Sequence, residues 1–238
     1  MEIINEKMTL NKVFTEVRLS PTLLFSDLKL LTGYMNFLKR VFDFVTYEEL
    51  SKQIICNTAD GKNHANISNT RLVVDFNVPT RYDEFISTCD SIVTEYTSKF
   101  EVIQFDRAGI RYNIPVKFIN FEEASKLFFD KFFHVLRESK TSENLLTDCY
   151  SGKVDLYYAL DDKKLNVSIL PIKIQTLEMK IGTGWQQETI QDTIEGLLFD
   201  MDYYHEGRIT PLQFKNQLTN GISVVEGKAI NLLRALGI

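Results

Sequence analysis

Lys153-Val154-Asp155-Leu156-Tyr157-Tyr158-Ala159-Leu160-Asp161-Asp162-Lys163-Lys164-Leu165-Asn166-Val167-Ser168-Ile169-Leu170 is the stretch that decides the architecture. Leu165, Val167 and Ile169 alternate with Asn166, Ser168 and Leu170, which is the period of a half-buried strand. With turn residues at Asp161-Asp162-Lys163, the run from Lys153 to Ile174 reads as a direct hairpin. A direct hairpin makes antiparallel neighbours and leaves no room for a crossover helix.

Working outward, Leu10 to Leu19 alternates in part and stops at Ser20-Pro21, and Arg71 to Val78 reads as a strand that Pro79 ends. The stretch Tyr82 to Ser98 carries Phe85, Cys89, Ile92, Val93 and Tyr96 at spacings of three and four, one apolar stripe of a helix. Phe100 to Phe118 is strand-like, with Gly109 where a bulge would re-aim it. Asn120 followed by Glu123 matches a capping box for a helix running to about Arg137. Gly196 to Tyr204 reads as a strand, and Thr210-Pro211-Leu212-Gln213 as the start of a final long helix interrupted by Gly221 and Gly227. Leu23 to Leu50 has mixed periodicity with a helical piece over Leu28–Phe42, and Asn57 to Asn69 reads as an exposed loop or hairpin tip. Gly182-Thr183-Gly184-Trp185 reads as a loop whose tryptophan either caps the core or anchors a partner.

These signals predict an α+β fold: a mostly antiparallel sheet with long helices packed on it. Val73-Val74-Asp75-Phe76 and Leu198-Phe199-Asp200-Met201 each precede a turn and a long helix, the mark of an internal strand-turn-helix duplication. No linker divides the 238 residues, so one domain over 1–238 is expected, with sub-halves near 1–147 and 148–238.

Composition is that of an ordinary folded chain, 44% hydrophobic and 25% charged, which excludes disordered and fibrous classes. The 17 Phe and 10 Tyr favour a thick core or an aromatic-lined surface, the core being the plainer reading. A formal net charge of −5 disfavours a nucleic-acid partner in the absence of a local basic face. Three scattered cysteines, Cys56, Cys89 and Cys149, suit a reducing compartment, and Cys89 belongs to the apolar stripe of its helix. No apolar run approaches the ~20 residues of a membrane span, and the acidic start Met1-Glu2-Ile3-Ile4-Asn5-Glu6 is unlike a signal peptide, so a cytoplasmic protein is expected.

Two constellations could carry chemistry. Asp200 and Asp202 lie two apart on a strand, both carboxylates on one face, with His205 and Glu206 in the turn after it. Asp200, Asp202 and His205 could hold Mg²⁺ or Mn²⁺, and the plain alternative is a solvated strand end. Arg107, Arg111 and Tyr112 could clamp a phosphate or carboxylate, and the plain alternative is an ion-pair network bracing the strand. His64 and His134 stand without ligand-spaced companions, and neither a GxSxG elbow nor a glycine-rich nucleotide fingerprint is present.

Phe105-Asp106-Arg107-Ala108-Gly109-Ile110-Arg111-Tyr112-Asn113-Ile114 and the later Leu197-Leu198-Phe199-Asp200-Met201-Asp202 together resemble a sporadically distributed, functionally uncharacterised family of bacterial and archaeal proteins. That family places an Arg-x-Gly-x-Arg-Tyr strand ahead of a hydrophobic-Asp-x-Asp strand and a last long helix. The family often has a histidine in the final helix, where this chain has none. The resemblance implies a gene carried in mobile or defence-related islands and brings no active site with it.

The function expected from these readings is a cytoplasmic, non-enzymatic interaction subunit with a protein partner or a homo-oligomer, and no cofactor. The alternative is a Mg²⁺- or Mn²⁺-dependent hydrolase or phosphoryl-transfer enzyme using Asp200 and Asp202, with Arg107 or Arg111 on a phosphate. Nucleic-acid binding is third.

Overall fold

A computed structural model describes residues 12–77, 81–133, 152–181 and 186–238. They form an α+β fold with one nine-stranded antiparallel sheet. The strands are β1 (Lys12–Arg18), β2 (Phe44–Glu48), β3 (Gln53–Asn57), β4 (Asn63–Ile67), β5 (Arg71–Asn77), β6 (Phe105–Lys117), β7 (Val154–Leu160), β8 (Lys163–Ile181) and β9 (Gln186–Ile209). The helices are α1 (Leu28–Leu38), α2 (Tyr82–Lys99), α3 (Phe121–Phe132) and α4 (Pro211–Leu236), with a short 3₁₀ turn at Leu23–Ser26. Across the sheet the order is β2-β3-β4-β5-β1-β6-β9-β8-β7.

The chain takes the same route twice. In the first half β1 lies centrally, α1 carries the chain to the sheet edge, β2 to β5 meander back to β1, and α2 follows. In the second half β6 lies centrally, α3 leads outward, β7 to β9 meander back to β6, and α4 follows. The halves join through the antiparallel β1–β6 pair, from Lys12↔Asn113 to Arg18↔Arg107, the pairing that a local twofold between equivalent strands requires. The strand-and-helix repeat therefore breaks between Lys99 and Phe105.

Strand alternation sorts the side chains into two faces. Val13, Thr15 and Val17 of β1 lie beside Phe76, Val74 and Leu72 of β5 on one side and Tyr112, Ile110 and Ala108 of β6 on the other. Continuing outward, Met201, Tyr203 and Phe199 of β9 and Val167, Leu165 and Ile169 of β8 share that face, all of them buried. The buried residues of α1, α2, α3 and α4 join the same core cluster. One face is thus covered by helices, and each fully buried Leu, Ile or Phe there contributes about 1.5–3 kcal/mol of transfer free energy.

Local chemistry sets the helix ends and contacts. The Asp27 carboxylate accepts from the Lys29 and Leu30 amides at the start of α1 (2.8 and 3.0 Å), and the Asn120 side chain accepts from the Glu123 amide at the start of α3 (2.8 Å). In α4, Pro211 occupies the first turn and the Thr210 amide donates to Gln213 Oε1 (3.0 Å). Gly221 lets α4 lie directly on the sheet, because a Cβ there would come within 2.5 Å of Ile110 Cγ2 and 2.8 Å of Tyr203 Cδ1. Gly227 faces open space, so only one of the two helix glycines is a packing requirement.

Buried Tyr34 ties α1 to α2, its hydroxyl donating to the Ile92 carbonyl (3.1 Å). Tyr34→Phe should cost about 1 kcal/mol, read as a lowered midpoint in urea unfolding, because the ring packing survives and one buried hydrogen bond does not. An unchanged midpoint would show that this bond is not formed.

Two sequence expectations need correction. The region 57–69, expected as an exposed loop or hairpin tip, holds the tip of the β3–β4 hairpin over 58–62, but its second part is strand: β4 runs through it, paired to β3 and β5. The irregularity in β6 falls between Phe105 and Arg107, not at Gly109. Gly109 instead permits close approach, since a Cβ would meet Tyr204 Cβ at 2.6 Å and the Tyr203 carbonyl oxygen at 2.8 Å. The expected end of α3 near Arg137, as well as His134, Cys149 and the Gly182–Trp185 loop, lie outside the described residues.

Candidate functional site

The second face of the sheet bears no helix among the described residues, and it is where the charged side chains collect. On β1 it carries Lys12, Phe14, Glu16 and Arg18, on β5 Arg71 and Asp75, on β6 Arg107, Arg111 and Asn113, and on β9 Asp200, Asp202, Tyr204 and Glu206. Register brings together groups that are distant in sequence: Arg18 opposes both Arg71 and Arg107, Arg111 opposes Asp202, and Asn113 opposes Asp200.

Glu16 is the hub. Its carboxylate accepts from Arg18 Nε (3.0 Å), Arg71 Nε (2.5 Å) and an Arg107 terminal nitrogen (2.5 Å). The other terminal nitrogen of Arg107 donates to Asp202 Oδ2 (2.7 Å), so one guanidinium bridges two carboxylates. That guanidinium lies 4.2 Å above the Tyr204 ring centroid, and its side chain is only 11% exposed. Arg111 grips Asp200 through two nitrogens, with Nε at 2.5 Å from Oδ1. Asn113, its amide nitrogen turned toward the carboxylate, donates to Asp200 Oδ1 at 3.2 Å. The network thereby crosses four adjacent strands, β5, β1, β6 and β9.

Titration follows from these contacts. Burial alone would raise the Glu16 carboxyl, but the Arg18 hydrogen bond and the charges of Arg71 and Arg107 outweigh it and hold the group below the ordinary glutamate range. For Asp202 the balance reverses: burial dominates over Arg107 and Arg111, and the carboxyl sits above its ordinary value. Arg111 is raised, first by its hydrogen bond to Asp200.

The sequence-derived sites are split by strand alternation. Asp200 and Asp202 do share a face, but β9 continues to Ile209, so His205 falls on the opposite side. There its Nδ1 lies 3.2 Å from Asp162 Oδ2. The three-residue metal set Asp200, Asp202 and His205 is therefore not assembled, and no group of three or more His, Cys, Asp or Glu among the described residues is arranged to hold a metal ion. Arg107 and Arg111 share the open face, whereas Tyr112 points into the core, where burial pushes its phenol well above the ordinary range. The anion clamp Arg107, Arg111 and Tyr112 is corrected in the same way, for adjacent strand residues cannot face one side. Asp106 does not pair with its neighbour Arg107; it accepts from the Ser20 hydroxyl (3.2 Å). His64 lies in β4, its Nδ1 at 2.5 Å from Asn57 Oδ1.

Glu16, Arg18 and Arg71 escaped the sequence reading. Their signal was faint but real: Lys12, Glu16 and Arg18 alternate with Val13, Thr15 and Val17, marking one strand face as polar. The buried thiols play no part in this site, since Cys56 and Cys89 lie in the core, where burial pushes Cys56 up to about 12 and Cys89 well above its usual value. None of the described helices is long and apolar enough to cross a membrane. No family model and no curated protein matches the chain, so the open, ion-paired sheet face must be interpreted on its own geometry.

Proposed function

We propose that this chain is a non-catalytic binding subunit that presents the open sheet face to a protein partner. The observation that carries this reading is the Glu16–Arg107–Asp202 bridge with its flanking Arg18, Arg71 and Arg111 on a face that bears no helix among the described residues. A sheet face that merely met water would not need a buried, desolvated ion-pair network, which costs more to form than an apolar layer of similar size. Arginine and tyrosine held rigid in such a network are the residues on which protein interfaces concentrate their binding energy. Arg18, Arg71 and Arg111 are half-exposed and keep unused N–H donors at the rim.

The same geometry weighs against the alternatives. The guanidinium groups already answer the carboxylates, leaving, among the described residues of this face, neither an open oxygen cage for a hard cation nor an unpaired basic stripe for a phosphate backbone. Lys12 with Asp75 and Lys164 with Glu206 extend the balance of signs outward. A cytoplasmic setting and a gene of mobile or defence-related islands, the implication of the family resemblance, complete the proposal.

The test compares two charge-matched variants as baits in extract from the source organism. Arg71→Ala/Arg111→Ala removes open-face donors and leaves the Glu16–Arg107–Asp202 core in place; Lys29→Ala/Lys39→Ala alters α1 and its C-terminal cap on the helical side. A protein retained by wild type and by the helical-side variant, and lost at least tenfold by the open-face variant at unchanged thermal stability, is the expected result. Equal retention by both variants would reject the proposal. So would a Mg²⁺ or Mn²⁺ thermal shift abolished by Asp200→Asn/Asp202→Asn, which would instead favour the metal-dependent enzyme.

A further inference from the structure

The sheet ends in β2 on one side and in β7 on the other. From Val154 to Leu160, β7 pairs with β8 in unbroken register, and no strand among the described residues lies against its other side. Such an edge presents a row of backbone N–H and C=O groups, which folded proteins commonly blunt with a proline, a bulge or an inward-pointing charge. Between Val154 and Leu160 there is none of these. Val154, Leu156, Tyr158 and Leu160 pack against the core but stay half-buried along the edge, and Tyr157, on the open face, is 74% exposed.

The residues of β7 select a second copy of the same strand as the occupant. Directly opposed residues of an antiparallel pair point to the same face, so a twofold axis that keeps apolar against apolar passes through a residue and not between two. With the axis at Tyr157 all seven residues of β7 find partners. Val154 then opposes Leu160 and Leu156 opposes Tyr158 on the helical side, which completes the half-buried apolar row. Just outside the strand, exposed Lys153 of each copy opposes exposed Asp161 of the other. An axis at Tyr158 would set Asp155 against Asp161, and one at Leu156 would set Lys153 against Ala159 and Gly152 against Leu160. The opposite edge lacks this complementarity, because an axis at Thr46, the middle of five-residue β2, sets Asp43 against Glu49. The two halves of the chain are already joined in this manner, through the antiparallel β1–β6 pair.

We propose that two copies of this chain pair antiparallel along β7 about a twofold axis at Tyr157, forming one continuous sheet with both open faces on the same side. The interface is independent of the arginine–carboxylate face, so Arg71→Ala/Arg111→Ala should leave it intact. Sedimentation equilibrium of the full chain over a concentration series should give the mass of a dimer. Tyr157→Lys sets like charges against each other on the axis and should yield a monomer with an unchanged circular dichroism spectrum, because this side chain is exposed. Asp161→Lys makes both flanking pairs repulsive and should weaken the dimer roughly tenfold, and adding Lys153→Glu should restore it, a rescue that belongs to this register alone. Thr46→Lys on β2 should change nothing. A chain that sediments as a monomer at every concentration, a dimer indifferent to Tyr157→Lys, or the lack of rescue in Lys153→Glu/Asp161→Lys overturns the assignment.

Discussion

Gly196→Ala is expected to destabilise the protein by about 3 kcal/mol or more, in the range of severe core lesions. Gly196 sits in β9 between Lys117 of β6 and Ile172 of β8, hydrogen-bonded into the middle of the sheet. A Cβ at this position would be driven into the Val116 carbonyl, with the carbonyl carbon at 2.9 Å and Lys117 Cα at 3.3 Å. These are backbone atoms, so no side chain can rotate away. Val116 and Lys117 lie just past the part of β6 that β1 holds, Lys12↔Asn113 to Arg18↔Arg107, so relief requires parting the end of β6 from β9. Roughly 2–4 °C of melting temperature accompanies each kcal/mol in a chain of this size, so thermal unfolding reads the effect directly. Gly227→Ala is the internal control. It faces open space inside α4, and alanine there should stabilise by up to about 1 kcal/mol through helix propensity. If both glycines responded alike, close approach at Gly196 would not be what the sheet depends on.

The parts of the fold that were legible in sequence are those with short-range causes. The Asp161–Asp162 turn between two alternating runs gave the β7–β8 hairpin, and the 3–4 spacing of Phe85, Cys89, Ile92, Val93 and Tyr96 gave α2, all five residues buried. The paired strand-turn-helix segments pointed to a repeated connectivity, which the sheet order displays. β4 was read as part of an exposed loop or hairpin tip because Asn63, His64 and Asn66 look like turn chemistry. Its strand character comes from pairing with β3 and β5, a tertiary cause that local propensity does not contain.

The candidate site divides in the same way. That Asp200 and Asp202 share a face follows from spacing alone, and so does the separation of Arg111 from Tyr112. His205 was misplaced because the strand was expected to end at Tyr204, whereas β9 runs five residues further and alternation carries the imidazole to the helical side. The partners of the two aspartates could not be read at all. Arg107 and Asp202 are 95 residues apart, and Glu16 and Arg107 are 91 apart, so their meeting depends on the central register.

Glu16→Ala should be the most damaging single change on the open face, at about 3–5 kcal/mol. Three guanidinium groups converge on this carboxylate, and Arg107 is nearly buried, so removal leaves positive charges facing one another with only Asp202 to answer them. The pH dependence isolates the charge from the packing when Glu16→Gln is compared with wild type. Because the folded-state carboxyl of Glu16 is lowered, its contribution is fully present above the unfolded value of about 4.3 and is lost as pH falls through the folded value. Asp202 works in the other direction: its folded carboxyl is raised, so its contribution is present below the unfolded value of about 3.9 and is lost as pH rises through the folded one. Asp202 is common to both proteins, so the difference between them reports chiefly Glu16. Urea unfolding should give a wide gap at pH 7 that narrows steadily below about pH 4.3. A gap of constant width down to pH 3 would mean that the glutamine loses shape complementarity and that the carboxylate's charge does not organise the face. The narrowing gap would instead identify Glu16 as the group that holds four strands' worth of arginine and aspartate in the fixed pattern a partner would meet.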